Sequence, residues 1–133
     1  MEDHARGIDK VIRQGVVGET YNIGGINEWA NIDIVSLLCA EIDKRMQVSD
    51  DLCTRYPDAP VANGKQSTGL IQYVDDRRGH DRRYAINPDK ANDELNYQPV
   101  ETFETGIAKT IDWYLDNPRW WEPLRQAAQL KAA

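Results

Sequence analysis

The charged residues between positions 75 and 84 have the types and spacing that bind a phosphate-bearing ligand. Four arginines and three aspartates fall within residues 75–83, which leaves a local net charge of +1 in a chain whose formal net charge is −6. The planar guanidinium of arginine donates paired hydrogen bonds to phosphate or carboxylate, and Gly79 allows the backbone to turn close to a ligand. His80 adds a further donor. Composition alone also fits ion pairs between these arginines and aspartates on a solvated turn.

The bulk properties exclude several classes of protein. The net charge of −6 and the pI near 4.9 argue against a general nucleic-acid binder, because binding to the phosphate backbone needs a dominant positive field. No apolar run reaches the roughly 18 residues needed to span a bilayer, and the N-terminus has no apolar signal core. We therefore expect a cytoplasmic protein with no nucleic-acid or membrane partner, built as one folding unit.

The chain has few residues suited to metal or redox chemistry. Cys39 and Cys53 do not form a CxxC pair, and neither stands at zinc-ligand spacing from His4 or His80. Cys39 lies in an apolar stretch and is expected to be a small buried hydrophobe. We predict no metal site.

Four helices are predicted from apolar periodicity and from start and stop signals. Asp3 is expected to cap the first and Asn31 the second, while Asn87 with Pro88 starts the third and Thr102 caps the fourth. The predicted helices are residues 3–14, 31–46, 89–95 and 103–116.

Short strands are predicted between these helices, which gives an α/β fold. The apolar and aromatic residues of 20–23, 70–74 and 84–86 favour extended structure, and Gly24 with Gly25 ends the first strand. Residues 48–69 contain two prolines and no sustained period, so they are expected to form an excursion loop.

The run Asp76-Arg77-Arg78-Gly79-His80-Asp81-Arg82-Arg83-Tyr84-Ala85-Ile86 after an apolar strand resembles the dTDP-glucose 4,6-dehydratases, which are extended short-chain dehydrogenases. Further matching runs occur in the same order from Glu2 to about Trp121. They are Glu2-Asp3-His4-Ala5-Arg6, Gly18-Glu19-Thr20-Tyr21-Asn22-Ile23-Gly24-Gly25, Asn27-Glu28, Asn31-Ile32-Asp33, Glu101-Thr102-Phe103-Glu104-Thr105-Gly106-Ile107 and Trp113-Tyr114-Leu115.

The resemblance implies a C-terminal substrate-binding region at residues 1–121, followed by a polar tail at 122–133, with the Rossmann lobe absent. It also implies that Arg77 and His80 contact the nucleotide diphosphate together with Asn31. Asn31 has a second possible role as a helix cap, and both roles can coexist because a helix N-terminus attracts phosphate. The neighbours Asp76, Arg78 and Gly79 complete the expected substrate-binding set, although the family usually has proline at the position of Arg78.

The family reaction oxidises the sugar with NAD, eliminates water and returns the hydride, giving a 4-keto-6-deoxy sugar. The chain has no G-x-x-G-x-x-G loop, no Thr-Asp-Glu run and no Tyr-x-x-x-Lys pair, since Pro88 stands four residues after Tyr84. We therefore expect NAD to bind only in the complete enzyme, with no catalytic or cofactor-binding residue here and no activity of this chain alone. Surface that packs on the missing lobe is expected to promote self-association.

Two alternatives stay open from the sequence. The chain could belong to another extended short-chain nucleotide-sugar enzyme, such as an epimerase or a decarboxylase. It could instead be a non-catalytic interaction module whose arginines contact an acidic partner or a free nucleotide.

Overall fold

Helices form the regular structure of the part of the chain that the computed structural model describes, which is residues 1–25, 27–75, 77–79 and 85–132, with 127–132 described by backbone alone. The elements are α1 (Glu2–Gln14), α2 (Asn31–Gln47), α3 (Asp50–Arg55), two 3-10 turns (Val61–Asn63 and Ser67–Leu70), α4 (Asp89–Leu95), α5 (Phe103–Asp116) and α6 (Pro118–Ala132). None of the described helices is long and apolar enough to cross a membrane. The chain divides into two units, Met1–Ile34 with Gln72–Glu104 and Val35–Ile71 with Thr105–Ala133.

The four predicted helices are confirmed as α1, α2, α4 and α5, but the predicted cap of α1 is wrong. Asp3 lies inside α1, and its carboxylate accepts hydrogen bonds from the backbone N–H groups of Val100 (3.0 Å) and Glu101 (2.8 Å). These bonds lower the pKa of Asp3 below its usual value. The acidic side chain therefore joins α1 to the segment before α5.

No strand is found among the described residues, so the strand part of the α/β prediction is wrong for residues 20–23 and 70–74. Residues 20–23 and 71–74 have no regular secondary structure, and of the third predicted strand only 85 and 86 are described. A strand requires a hydrogen-bonded neighbour as well as suitable side chains. Tyr73 and Val74 keep 88% and 83% of their surface exposed, which fits a segment with no packed face.

The segment 48–69, predicted as a loop, contains α3, the first 3-10 turn and all but the last residue of the second. Ser49 caps α3, because its hydroxyl accepts a hydrogen bond from the Leu52 N–H at 3.3 Å, and Asp50 and Asp51 occupy the first turn. Gly64 ends the first 3-10 turn in the left-handed conformation with φ of 68°. A cap followed by two acidic residues is a short signal, and a six-residue helix is too short to show the apolar periodicity that predicts longer helices.

The core of the first unit lies where α1 meets α4. Ala91, Leu95 and Tyr97 are buried there, with Leu95 only 1% exposed. Asn96 ends α4 in the left-handed conformation, and the Lys10 ammonium of α1 donates to the carbonyls of Leu95 (3.0 Å) and Asn96 (2.8 Å). The C-terminus of α4 is thereby satisfied by a cation.

The second unit is built around Met46, Leu52 and Ile111, all buried. The buried Asp43 carboxylate accepts the Ser67 N–H with both oxygens, at 3.1 and 3.2 Å. Residues 122–132, part of the predicted tail, continue α6.

Candidate functional site

Residues 77–79 form the described part of the predicted diphosphate-binding segment. Arg77 and Arg78 are exposed, and Arg78 with Gly79 forms a turn. Gly79 has φ of 74°, a left-handed conformation that strains any residue with a Cβ, while nothing lies within 4 Å of the position such a Cβ would take. Backbone conformation therefore favours glycine at this position, and two exposed cationic side chains come directly before Gly79.

Two of the predicted site residues, Asp76 and His80, lie outside the described residues, as do residues 81–84. Their roles at the site stay predictions of the sequence.

Asn31 is exposed and is the first residue of α2. The carbonyl of Ala30 accepts hydrogen bonds from the N–H groups of Asp33 (3.0 Å) and Ile34 (3.1 Å), so Ala30 holds the cap position. The prediction that Asn31 caps α2 is wrong by one residue. Asn31 instead stands in the first turn of a 17-residue helix, whose positive end favours an anion.

Two contacts join the segment that leads towards Asn31 to the segment that follows Gly79. The Asn22 side-chain amide donates to the carbonyl of Asn87 at 3.1 Å. A Cβ at Gly24 would lie 2.6 Å from Cγ2 of Ile86, so Ile86 packs directly on the backbone there. All four residues belong to the first unit, as do residues 31 and 77–79.

These flanking contacts were missed by sequence reasoning. Gly24 was predicted to end a strand. In the structure a glycine is needed at this position because Ile86 packs where a side chain would lie. Gly24 and Ile86 both lie in runs that match the dehydratase family. Nothing in the spacing of these runs predicts that the two residues touch.

Aromatic packing supports the start of α2. The rings of Trp29 and Phe103 lie 5.1 Å apart between centroids, tilted by 35°, and Trp29 precedes Asn31 by two residues. Such a contact restricts the approach of the chain to the helix N-terminus.

A second charged cluster in the first unit is structural. The Lys90 ammonium donates to Glu19 at 2.6 Å and lies 4.7 Å from the ring centre of Tyr21, whose hydroxyl donates to Glu94 at 2.7 Å. The hydrogen bond to Glu19 raises the pKa of Lys90 and lowers the pKa of Glu19. The cluster ties residues 19–21 to α4, and both ions of the pair stay charged at neutral pH.

Comparison with known proteins identifies the class. The model of the GDP-mannose 4,6 dehydratase family matches residues 1–110, and the chain belongs to this family. No group of three or more metal-ligating side chains occurs among the described residues.

The particular relatives are dTDP-glucose 4,6-dehydratases, which confirms the resemblance found in the sequence. The chain is 50% identical over 122 residues to one dTDP-glucose 4,6-dehydratase of Escherichia coli. It is also similar to the dTDP-glucose 4,6-dehydratase of Bacillus anthracis in complex with NAD, with a TM-score of 0.70 and 39% identity. The Streptomyces venezuelae dTDP-glucose 4,6-dehydratase, with NAD and TYD bound, gives a TM-score of 0.71 and 34% identity.

These matches cover most of this chain and a minor share of each relative. The alignments include 92% of this chain in all three cases, but 31% of the Escherichia coli protein, 32% of the Bacillus anthracis chain and 31% of the Streptomyces venezuelae chain. The chain thus spans about a third of the length of these relatives.

Proposed function

We propose that this chain is the nucleotide-sugar-binding portion of a dTDP-glucose 4,6-dehydratase, in which Arg77, His80 and Asn31 hold the nucleotide diphosphate. The observation that carries the proposal is the pair of contacts that ties the flanks of the two candidate segments in one unit, Asn22 to Asn87 and Gly24 to Ile86. The relatives' names and the NAD and TYD in their structures support the same function.

Each proposed ligand contact has a physical basis. Arg77 presents a guanidinium fork suited to two phosphate oxygens, and the N-terminus of α2 at Asn31 adds a partial positive charge. Arg78 provides a second cation where the family usually has proline, and the turn at Gly79 lets the backbone approach the ligand. Asp76 is proposed as a counter-charge that orients the neighbouring cations.

The chemical steps are proposed to take place on residues that this chain does not carry. NAD in the whole enzyme would supply hydride transfer, but its diphosphate needs a glycine-rich loop, and none occurs in these 133 residues. Binding the substrate diphosphate fixes where the sugar ring meets the reacting groups, which lowers the barrier through orientation. The chain alone is therefore proposed to bind substrate without turning it over, in the cytoplasm.

One observation favours a second substrate. The matching family model carries the name of GDP-mannose, whereas the relatives carry the name of dTDP-glucose. Diphosphate recognition by Arg77 suits both nucleotides, so the base must be distinguished by other residues. Comparison of dTDP with GDP separates these substrates.

Self-association also stays a proposal. Ile12, Val16 and Val17 of the first unit keep 78%, 61% and 101% of their surface exposed. Apolar side chains exposed together are typical of a surface that another polypeptide covers.

The test is a calorimetric titration of the chain with dTDP-glucose, dTDP and GDP. Arg77→Ala should weaken dTDP binding by about tenfold or more, because a hydrogen-bonded charge pair is lost. Arg13→Ala is the matched control, since Arg13 is an exposed arginine of the same unit that pairs with Asp9. Equal dTDP affinities of the Arg77 and Arg13 variants would remove Arg77 from the site, and tighter binding of GDP than of dTDP would favour the second substrate.

A further inference from the structure

We propose that the second unit holds a ligand site for a medium-chain aliphatic carboxylate, in the cavity formed by α2, α3, α5 and α6. The cavity has a volume of about 1110 Å³, whereas voids in a packed core seldom exceed the size of a water molecule. Its described lining contains none of the residues proposed to bind the diphosphate, and all of that lining belongs to the second unit. The inference therefore stands independently of the proposed function.

The walls of the cavity are mainly aliphatic. Along one face each, α2 and α5 contribute side chains at helical spacing, which are Val35, Leu38 and Ile42 from α2 and Ile107, Ile111 and Leu115 from α5. Of these side chains only Ile111 is buried, and the others are half-buried. A surface of branched aliphatic carbon is thus left open to a ligand, which would gain free energy by removing this surface from water.

Hydrogen bonds hold α5 in place against its neighbours. One bond reaches it from each of three helices: Arg45 of α2 donates to the Ala108 carbonyl at 3.1 Å, Arg55 of α3 to the Leu115 carbonyl at 3.1 Å, and Trp121 of α6 to the Tyr114 carbonyl at 2.8 Å. Collapse of the cavity would strain these bonds. The cavity is therefore preformed, and a ligand can enter without the cost of rearranging the helices.

Arginine supplies the charge that selects an anion. The described lining contains Arg55, Arg125 and one acidic residue, Asp58. Arg55 already pairs with Asp51 at 3.0 Å. The guanidinium carbon of the exposed Arg125 lies 5.5 Å from the ring centre of Trp121, and this cation–π contact keeps the cation beside the apolar walls. A carboxylate at Arg125 with an aliphatic chain against the walls matches both parts of the lining.

The experiment titrates the 133-residue chain with octanoate, decanoate and 1-decanol by calorimetry, below the concentrations at which these compounds aggregate. Decanoate should bind about tenfold more tightly than octanoate, because its two additional methylene groups are removed from water. Arg125→Ala should weaken decanoate binding about fivefold and leave 1-decanol binding unchanged, since only the carboxylate pairs with this exposed cation. Arg119→Ala is the matched control, because Arg119 is an exposed arginine of α6 outside the described lining.

Filling the cavity tests the site without changing its charge. Cys39→Phe enlarges a half-buried side chain of the α2 wall and should weaken decanoate binding about tenfold or more, because the ring occupies the volume of the ligand. Ala40→Phe is the control at the next, exposed residue of α2. Backbone amide shifts of the parent chain make the test independent of any variant, since decanoate should move residues 38, 42 and 111 and leave 77–79 unmoved.

Three outcomes would overturn the inference. The first is a folded parent chain that does not bind decanoate, and the second is decanoate-induced shifts confined to the first unit. The third is a parent chain that dimerises and becomes monomeric in Cys39→Phe without ever binding decanoate, which would make the cavity an interface between copies. Arg77→Ala should leave decanoate affinity unchanged, so loss of dTDP binding in that variant tests the proposed function separately.

Discussion

The two units of this chain are stabilised by different interactions. In the first unit, side chains bind backbone groups of distant segments: Asp3 accepts from the amides of residues 100 and 101, Lys10 donates to the end of α4, and Asn22 donates to Asn87. In the second unit, Arg45 of α2 connects to α5 by donating to the Asp112 carboxylate and to the carbonyl of Ala108. The side-chain hydrogen bonds of the first unit thus hold irregular segments in place, whereas those of the second unit hold one helix against another.

This difference bears on where function lies. Irregular segments held by a rigid frame are where proteins usually place ligand-binding groups, and the described candidates at residues 31 and 77–79 all belong to the first unit. The hydrogen bond to Asp112 raises the pKa of Arg45, and the same bond lowers the pKa of Asp112. This ion pair and the buried Met46, Leu52 and Ile111 are accounted for by packing of the second unit. The cavity of about 1110 Å³ there, lined by residues such as Leu38, Ile42 and Trp121, is the site proposed for an aliphatic carboxylate.

The largest effect is expected from the core of the first unit. Leu95→Ala removes a side chain that is 1% exposed and should lower the free energy of unfolding by about 3 kcal/mol, through lost burial and the cavity left behind. Urea denaturation measures the change, and Leu124→Ala, at a residue 61% exposed, is the control. A loss as small as that of the control would mean that the α1–α4 core contributes little.

A smaller effect is expected in the second unit. Asp43→Ala leaves the buried Ser67 N–H without its acceptor and should cost about 2 kcal/mol of unfolding free energy. The affinity for dTDP, measured where the variant is folded, should stay unchanged. Asp51→Ala removes an exposed ion pair and one of the two acidic residues in the first turn of α3, so it should cost no more than about 1 kcal/mol. Weaker dTDP binding by the Asp43→Ala variant would contradict the claim that the ligand binds to the first unit alone.

The smallest effect concerns pH and the first unit. Hydrogen bonds from the amides of Glu101 and Val100 lower the pKa of Asp3, so the folded chain favours the ionised form more than the unfolded chain does. This contribution to stability is complete above 3.8, the ordinary pKa of an aspartate, and is lost as pH falls through the lower pKa of the folded chain. Denaturation midpoints of the parent should therefore fall more steeply below pH 4 than those of Asp3→Asn. Parallel pH profiles would show that Asp3 adds no linked stability.

Sequence reasoning found the helices because their signals are local. Apolar periodicity and helix stop signals are read from neighbouring residues, and α1 ends at Gln14 and α5 at Asp116, as the predicted bounds state. The predictions for the segments between the helices were wrong because the structure of these segments depends on distant residues. Residues 20–23 have strand-forming side chains, yet Ile23 packs on Gly7 of α1 instead of joining a ladder, and that contact depends on tertiary structure.

The candidate site shows the same division. Arg77, Arg78 and Gly79 were predicted because charge and turn chemistry are visible in consecutive residues. The left-handed φ of Gly79 agrees with the predicted turn, and ligand binding by the three residues stays a prediction. The roles of Gly24 and Asn22 were missed because their partners, Ile86 and Asn87, lie more than sixty residues away. The ligand contact of Asn31 stays a prediction, and its predicted cap role was misplaced by one residue because Ala30 supplies the first helical carbonyl.

The central claim is that the diphosphate binds in the first unit, at residues 77–79 and 31. Titration of the isotopically labelled chain with dTDP, followed by backbone amide chemical shifts, tests it directly. We predict saturable shifts at Arg77, Arg78, Gly79 and Asn31, with the amides of Asp43 and Arg45 unmoved. Shifts confined to the second unit, or no saturable shift at Arg77 when dTDP binds, would contradict the account.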